Sequence, residues 1–129
     1  MTGRMTGWFI LPLLLLGACR SATPAQGSPT VDLTEFSIMA LGTFDAGPNE
    51  ITVHNEVEFG HTLVIVDNDG TVIDVTGVIA PGESSVYSVD LKPGTYELSC
   101  RIVIQTGEGQ LIDHYQEGML TAVEVGASS

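Results

Sequence analysis

The sequence has 129 residues, which is room for one domain, and it carries 16 acidic residues against four basic ones. The resulting formal charge of −12 excludes nucleic acid as an electrostatic partner and disfavours anionic lipid; it either favours a basic partner or serves only solubility. No Ser-His-Asp arrangement, phosphate-binding loop or catalytic pair of carboxylates is recognisable, so we expect no enzyme activity.

The first 18 residues are predicted to be a lipoprotein signal peptide. Arg4 supplies a positive charge, and residues 8–16 are almost wholly apolar but shorter than the roughly 20 residues that a transmembrane helix needs. This stretch ends in Leu16-Gly17-Ala18-Cys19, which resembles a bacterial lipobox, whose cysteine accepts the lipid. The alternative is an ordinary secretory signal with a chance cysteine. Cleavage before Cys19 leaves 16 acidic and three basic residues, a formal charge of −13.

Residues 19–30 are predicted to be the lipidated Cys19 and a flexible tether, because Ser, Pro and Ala dominate and no large apolar side chain occurs. Residues 31–125 would form the domain and residues 126–129 a short tail. Acyl chains on Cys19 would hold the domain at the extracytoplasmic face of a bacterial membrane, in the periplasm or cell envelope. The second cysteine, Cys100, is then unpaired in an oxidising compartment, which needs a special explanation.

Short β segments follow between turns rich in Gly, Pro, Asn and Asp. The first is predicted over residues 31–40, with its alternation broken near Glu35-Phe36. The others are 50–54, 61–66, 71–75, 85–91, 95–100 and 119–125, with turns at 67–70, 80–83 and 92–95. About seven short strands at regular spacing predict an all-β, Greek-key antiparallel sandwich.

Four residues are expected to meet at one pole of this sandwich, because each lies near the end of a predicted strand: His61, Cys100, His114 and Met119. Two imidazoles, a thiolate and a weak thioether form the ligand set of a blue-copper site. A metal would also explain the unpaired thiol, since coordination deprotonates and shields it. Singly, a histidine is more often structural or solvated, and a methionine more often fills a core. His54 has the opposite parity to Val53 and is expected at the surface.

The same stretches resemble the cupredoxin family, which includes plastocyanin and azurin. The resemblance spans residues 31–125 and is carried by Val53-His54-Asn55, Phe59-Gly60-His61-Thr62-Leu63-Val64-Ile65, Ala80-Pro81-Gly82-Glu83-Ser84, Lys92-Pro93-Gly94-Thr95-Tyr96-Glu97-Leu98-Ser99-Cys100 and His114-Tyr115-Gln116-Glu117-Gly118-Met119. It implies one type 1 copper held by His61, Cys100, His114 and Met119, with Asn55 helping to tie the ligand loops together.

The resemblance also implies a function. We expect a monomeric electron carrier that exchanges single electrons with extracytoplasmic redox proteins, such as cytochromes or membrane oxidases. One alternative is a copper-binding lipoprotein that stores, senses or delivers the metal. Another is a metal-free sandwich that serves only in interactions.

One departure from the family pattern stands out. The family places two to four residues between the cysteine and the second histidine, whereas residues 101–113 put thirteen between Cys100 and His114. Either this insertion is an ordered hairpin beside the copper, with His114 back at the ligand position, or it is mobile and His114 is not a ligand. The hairpin is favoured because a mobile loop would leave the apolar residues of both arms exposed instead of buried, and because the glycines between the arms allow a tight reversal. The five apolar residues are Ile102, Val103, Ile104, Leu111 and Ile112.

Overall fold

The structure is a computed structural model that describes Gly3 and residues 27–127. The predicted signal peptide, the lipidation site Cys19 and most of the predicted tether therefore lie outside the described residues. The described part contains eleven strands and no helix, and so no helix that is long and apolar enough to cross a bilayer.

Nine of the strands form two main sheets. The four-stranded sheet has the order β2 (Ile38–Leu41), β1 (Thr30–Leu33), β4 (Gly47–Asn55) and β7 (Ser84–Leu91). The five-stranded sheet has the order β3 (Phe44–Asp45), β11 (Leu120–Gly126), β8 (Gly94–Ser99), β5 (Val64–Asp67) and β6 (Val72–Val75). The last two strands, β9 (Val103–Gln105) and β10 (Leu111–Asp113), pair only with each other.

Alternating side chains of both main sheets enclose one hydrophobic core. Ile51 and Val53 of β4 are fully buried and pack in the same cluster as Leu98 of β8 and Val125 of β11. Period-two alternation is what a strand with one face on a core requires. The prediction of an all-β sandwich is confirmed.

The structure has more strands than predicted, and two of the pairings are parallel. The predicted first strand is two strands, because the Thr34 N–H donates to the Ser37 carbonyl at 3.0 Å and the chain turns there. This turn allows β1 to pair with β2 on one side and, in parallel, with β4 on the other. β3 likewise pairs in parallel with β11, so both main sheets are mixed rather than purely antiparallel.

Strand register brings three chain segments to one pole of the sandwich. Ser99 at the end of β8 pairs with Leu120 at the start of β11 and with Val64 at the start of β5. Cys100 and Met119 therefore lie next to each other just beyond the sheet, and the segment that contains His61 enters beside them.

Candidate metal centre

Cys100 and Met119 are joined through the backbone. The Cys100 N–H donates to the Met119 carbonyl at 3.1 Å, which extends the ladder between β8 and β11 by one step. Both side chains are fully buried. Strand pairing alone thus fixes the backbones of these two residues relative to each other.

The turn from His114 to Met119 explains the spacing between these two residues. The Met119 N–H donates to the His114 carbonyl at 3.0 Å, and the Gly118 N–H donates to the Tyr115 carbonyl at 3.1 Å. These two bonds form the pattern of a Schellman motif, which needs a residue with positive φ at its end. Gly118 has a φ of 102° and supplies it. The glycine before Met119 is therefore a requirement of the turn that connects the two residues.

His61 is held by a short antiparallel bridge to Ile79. The His61 N–H donates to the Ile79 carbonyl at 3.2 Å, and the Ile79 N–H donates to the His61 carbonyl at 2.7 Å. Gly60 precedes the histidine, and a Cβ there would meet the Val78 side chain at 2.9 Å, so the close approach of the two segments favours glycine.

Asn55 ties the segment around His61 to the end of β4. Its buried amide donates to the carbonyls of Phe59 at 2.6 Å and Ile79 at 2.9 Å, and its oxygen accepts from the Val57 N–H at 3.2 Å. The side chain therefore joins the loop before His61 to Ile79, the residue that forms the bridge with His61. A buried amide with three partners is a strong local constraint.

The three side chains with the best metal-ligating atoms converge. The Cys100 Sγ lies 3.7 Å from the His61 Nδ1 and 3.6 Å from the His114 Nδ1, and the two nitrogens are 3.2 Å apart. All three residues are fully buried, and across the described residues they form the one group of this kind. The centre of such a triangle is roughly 2 Å from each corner, close to metal–nitrogen and metal–sulfur bond lengths of about 2.0–2.3 Å.

Burial keeps both imidazoles in the form that binds metals. Burial and, as a smaller effect, the neighbouring His114 together lower the pKa of His61 to about 4. Burial also lowers the pKa of His114, against an opposing effect of Asp113. Both rings are therefore neutral at neutral pH, and each can offer a nitrogen lone pair to a metal.

An aromatic ring packs against the His114 imidazole. Neither buried Nε2 bonds to another residue of the described chain. The Phe36 ring packs edge-on against His114, with 5.5 Å between the centroids and 85° between the planes. The hydroxyl of Thr62 lies 3.9 Å from the Cys100 sulfur. The sequence marked Phe36 only as an interruption of a strand, since nothing local shows that this turn packs on the site.

His54 does not join the group. It lies half-buried on β4, and its Nδ1 bonds to the hydroxyl of Ser84 on β7. It is absent from the convergent set found among the described residues. Strand pairing holds this histidine on the four-stranded sheet, away from the ligand-type atoms.

The thirteen-residue insertion is an ordered hairpin made of β9 and β10. The Thr106 N–H donates to the Gln110 carbonyl at 2.8 Å across its turn. The expected burial of its apolar residues is wrong for Val103 and Leu111, which are 52% and 67% exposed. They lie on the outer side of the hairpin, whereas Ile104 and Ile112 pair on its inner side and are half-buried.

Comparison with known proteins supports the fold. No protein-family model matches the sequence, and no relative is found among curated proteins. The structure is similar to reduced rusticyanin, with a TM-score of 0.54, 19% identity and coverage of 76% of this chain and 77% of that one. It is also similar to dithionite-reduced auracyanin from the photosynthetic bacterium Roseiflexus castenholzii, with a TM-score of 0.51, 18% identity and coverage of 78% and 95%. Both are cupredoxins, and the chain therefore has the fold of the cupredoxin family.

Proposed function

We propose that this domain binds one type 1 copper through His61, Cys100, His114 and Met119 and transfers single electrons between extracytoplasmic redox proteins. The observation that carries the proposal is the convergence of two neutral imidazole nitrogens and one thiol, all buried, in a cupredoxin fold. Bound copper would supply a one-electron cycle between Cu(I) and Cu(II).

The chain's own residues account for each requirement of such a centre. The Cys100 thiolate gives a strong covalent ligand, and imidazoles suit both oxidation states. Met119 adds a weak thioether, which favours Cu(I) and raises the potential. The ligand segments are tied by backbone bonds to the sheets, so we expect the site to change little between Cu(I) and Cu(II).

The copper-loaded full chain tests this proposal directly. We expect one copper per chain, an intense visible band from thiolate-to-copper charge transfer, and a reversible one-electron wave in voltammetry. Bound copper without a reversible wave would instead favour storage, sensing or delivery. A protein that binds no copper would instead favour the third alternative, a metal-free sandwich that serves only in interactions.

Met119→Gln tests the weak ligand. We expect the variant to keep its copper but to have a lower reduction potential, because an amide oxygen favours Cu(II) more than a thioether does. A tenfold change in the relative preference for Cu(II) corresponds to about 59 mV for a one-electron couple, and we expect a fall of at least about that size. Voltammetry measures it. An unchanged potential would remove Met119 from the ligand set.

We further propose that acylated Cys19 anchors the domain to the membrane and that the domain acts there as a monomer. Mass spectrometry of the protein isolated from membranes detects the acyl chains, and an unmodified Cys19 would exclude the anchor. Anchoring would keep the carrier close to membrane redox enzymes, since several buried acyl chains hold a small domain firmly.

The partner is proposed to be basic, because the described domain holds all 16 acidic residues and two basic ones, Lys92 and Arg101. Carboxylates also lie beside the metal pole: Glu35 precedes Phe36, which packs on His114, and Glu56 and Glu58 lie in the loop that leads to His61. Opposite charge on a partner would steer the encounter toward this pole.

Electron exchange with a basic cytochrome is expected to slow roughly tenfold or more as salt rises, because the Debye length falls from about 30 Å at 0.01 M to about 8 Å at 0.15 M. Stopped-flow kinetics measures the rate. Glu58→Gln should lower the low-salt rate more than Glu50→Gln, which makes the same charge change at an exposed position farther from the pole. A rate independent of salt would exclude electrostatic steering.

A further inference from the structure

A preorganised metal site requires that the hairpin β9–β10 be held in a fixed position. It belongs to neither main sheet, yet it separates Cys100 from His114 in the chain. At its base, the His114 N–H donates to the Ile102 carbonyl at 3.0 Å, so the chain returns to a point two residues beyond Cys100. This bond closes the hairpin, but on its own it does not tie the hairpin to the sandwich.

A cluster of three side chains makes that connection: Glu97, Arg101 and Tyr115. The Arg101 guanidinium donates from Nη2 to the Glu97 Oε1 at 3.0 Å and lies 3.6 Å from the centre of the Tyr115 ring. The Tyr115 hydroxyl donates to the other Glu97 oxygen at 3.3 Å. Each member thus contacts the other two. Arg101 directly follows Cys100, Tyr115 directly follows His114, and Glu97 lies on β8.

Arg101 makes a further contact with the sheet. Its Nε donates to the Ser99 hydroxyl at 3.0 Å, and Ser99 is fully buried although it lies on the face of β8 opposite to Leu98 and the core. One planar guanidinium therefore bonds to two residues of β8 while it stacks on the tyrosine. A lysine could carry the charge but could not make these contacts together.

The cluster is too exposed to contribute much to the free energy of unfolding. The Arg101 side chain is 47% exposed and that of Glu97 is 30% exposed, and ion pairs this exposed contribute little to folding. What distinguishes the cluster is its location, since it joins the residues that follow the two ligands and fixes both to the strand that presents the cysteine.

We propose that Arg101, Glu97 and Tyr115 are positioning residues that fix the base of the hairpin on the outer face of the five-stranded sheet and thereby keep Cys100 and His114 at the separation that the metal needs. The inference rests on the proposed copper site. This chain needs such positioning residues because its long insertion separates Cys100 from His114.

The first test needs no metal. Arg101→Met in the full chain removes both hydrogen bonds and the cation over the ring, and Lys92→Met removes the same charge at the exposed turn at the far end of β8. Hydrogen exchange followed by mass spectrometry should show faster exchange of the hairpin and of the His114 amide in Arg101→Met, with no change in Lys92→Met. Equal exchange in wild type and Arg101→Met would overturn the proposal, whatever metal the protein binds.

The second test uses copper. Loss of a residue that orients a metal ligand costs at least about tenfold in metal affinity, and we expect Arg101→Met to bind copper roughly tenfold more weakly with a shifted charge-transfer band. Tyr115→Phe, which keeps the ring, and Arg101→Lys, which keeps the charge, should be less affected.

The outcomes of the copper test separate the inference from the proposed function. Wild-type protein without a charge-transfer band would refute the copper site itself. A normal wild-type spectrum together with unchanged affinity and spectrum in Arg101→Met would refute only the positioning role, even if hairpin exchange is faster. An equal loss of affinity in Lys92→Met would also refute it, since a general charge effect would then explain the result.

Discussion

Replacing Cys100 with serine is expected to abolish the visible absorption of the copper-loaded protein. The band requires charge transfer from a thiolate, and a serine hydroxyl neither ionises readily nor donates charge to copper as sulfur does. The Cys100 sulfur lies 3.7 and 3.6 Å from the Nδ1 atoms of the two imidazoles, and no other cysteine lies in residues 27–127. No remaining side chain could replace it, so the loss should be complete rather than partial.

The control for this variant is Cys19→Ser, which makes the same chemical change at the other cysteine. It should lose its lipid and keep the blue colour. Circular dichroism should show that Cys100→Ser retains its sheet content, because β8, which leads to the site, pairs with β11 along its whole length. Colour that persists in Cys100→Ser would show that the thiolate assignment is wrong.

Local signals predicted the parts of the fold that depend on neighbouring residues. Short β segments between turn residues located β4, β7 and β8, and the turns at 67–70 and 80–83 lie where their Gly, Pro and Asp residues indicated. The sequence also predicted that His61, Cys100 and His114 lie together, because residues at strand ends gather at the poles of a sandwich.

Features that depend on distant contacts could not be predicted in this way. The parallel pairing of β1 with β4 depends on where the Thr34–Ser37 turn sends the chain. The contact of Phe36 with His114 joins segments far apart in the sequence. Arg101 was recognisable only as the first residue of an insertion, because its stacking on Tyr115 exists only once the hairpin returns.

The exposure of Val103 and Leu111 shows the limit of a composition argument. Five apolar residues on two arms suggested burial, but a two-stranded hairpin that lies on the surface can cover only one of its faces. Ile104 and Ile112 take the covered face, whereas Val103, Gln105 and Leu111 are exposed.

His114→Gly is expected to weaken copper binding and to shift the visible spectrum, with the wild-type spectrum restored by added imidazole. Removal of the side chain takes away one of the two nitrogen ligands and leaves a space of imidazole shape between Phe36 and Cys100. The Met119 N–H bonds to the carbonyl of residue 114 and the 114 N–H bonds to the Ile102 carbonyl, so the backbone frame does not depend on the ring. Free imidazole can therefore occupy the vacated position without refolding the turn.

Two further variants separate loss of a ligand from other effects. His114→Ala opens the same position without the added backbone freedom of glycine, which costs about 0.5–1 kcal/mol in ordered structure, and it should also respond to imidazole. His54→Gly removes a histidine that bonds to Ser84 on the four-stranded sheet, and its spectrum should equal that of the wild type with or without imidazole. A wild-type spectrum in His114→Gly without imidazole would mean that the hairpin does not return His114 to the metal. Full rescue would show that the only essential contribution of this residue is a neutral imidazole nitrogen held 3.6 Å from the cysteine sulfur.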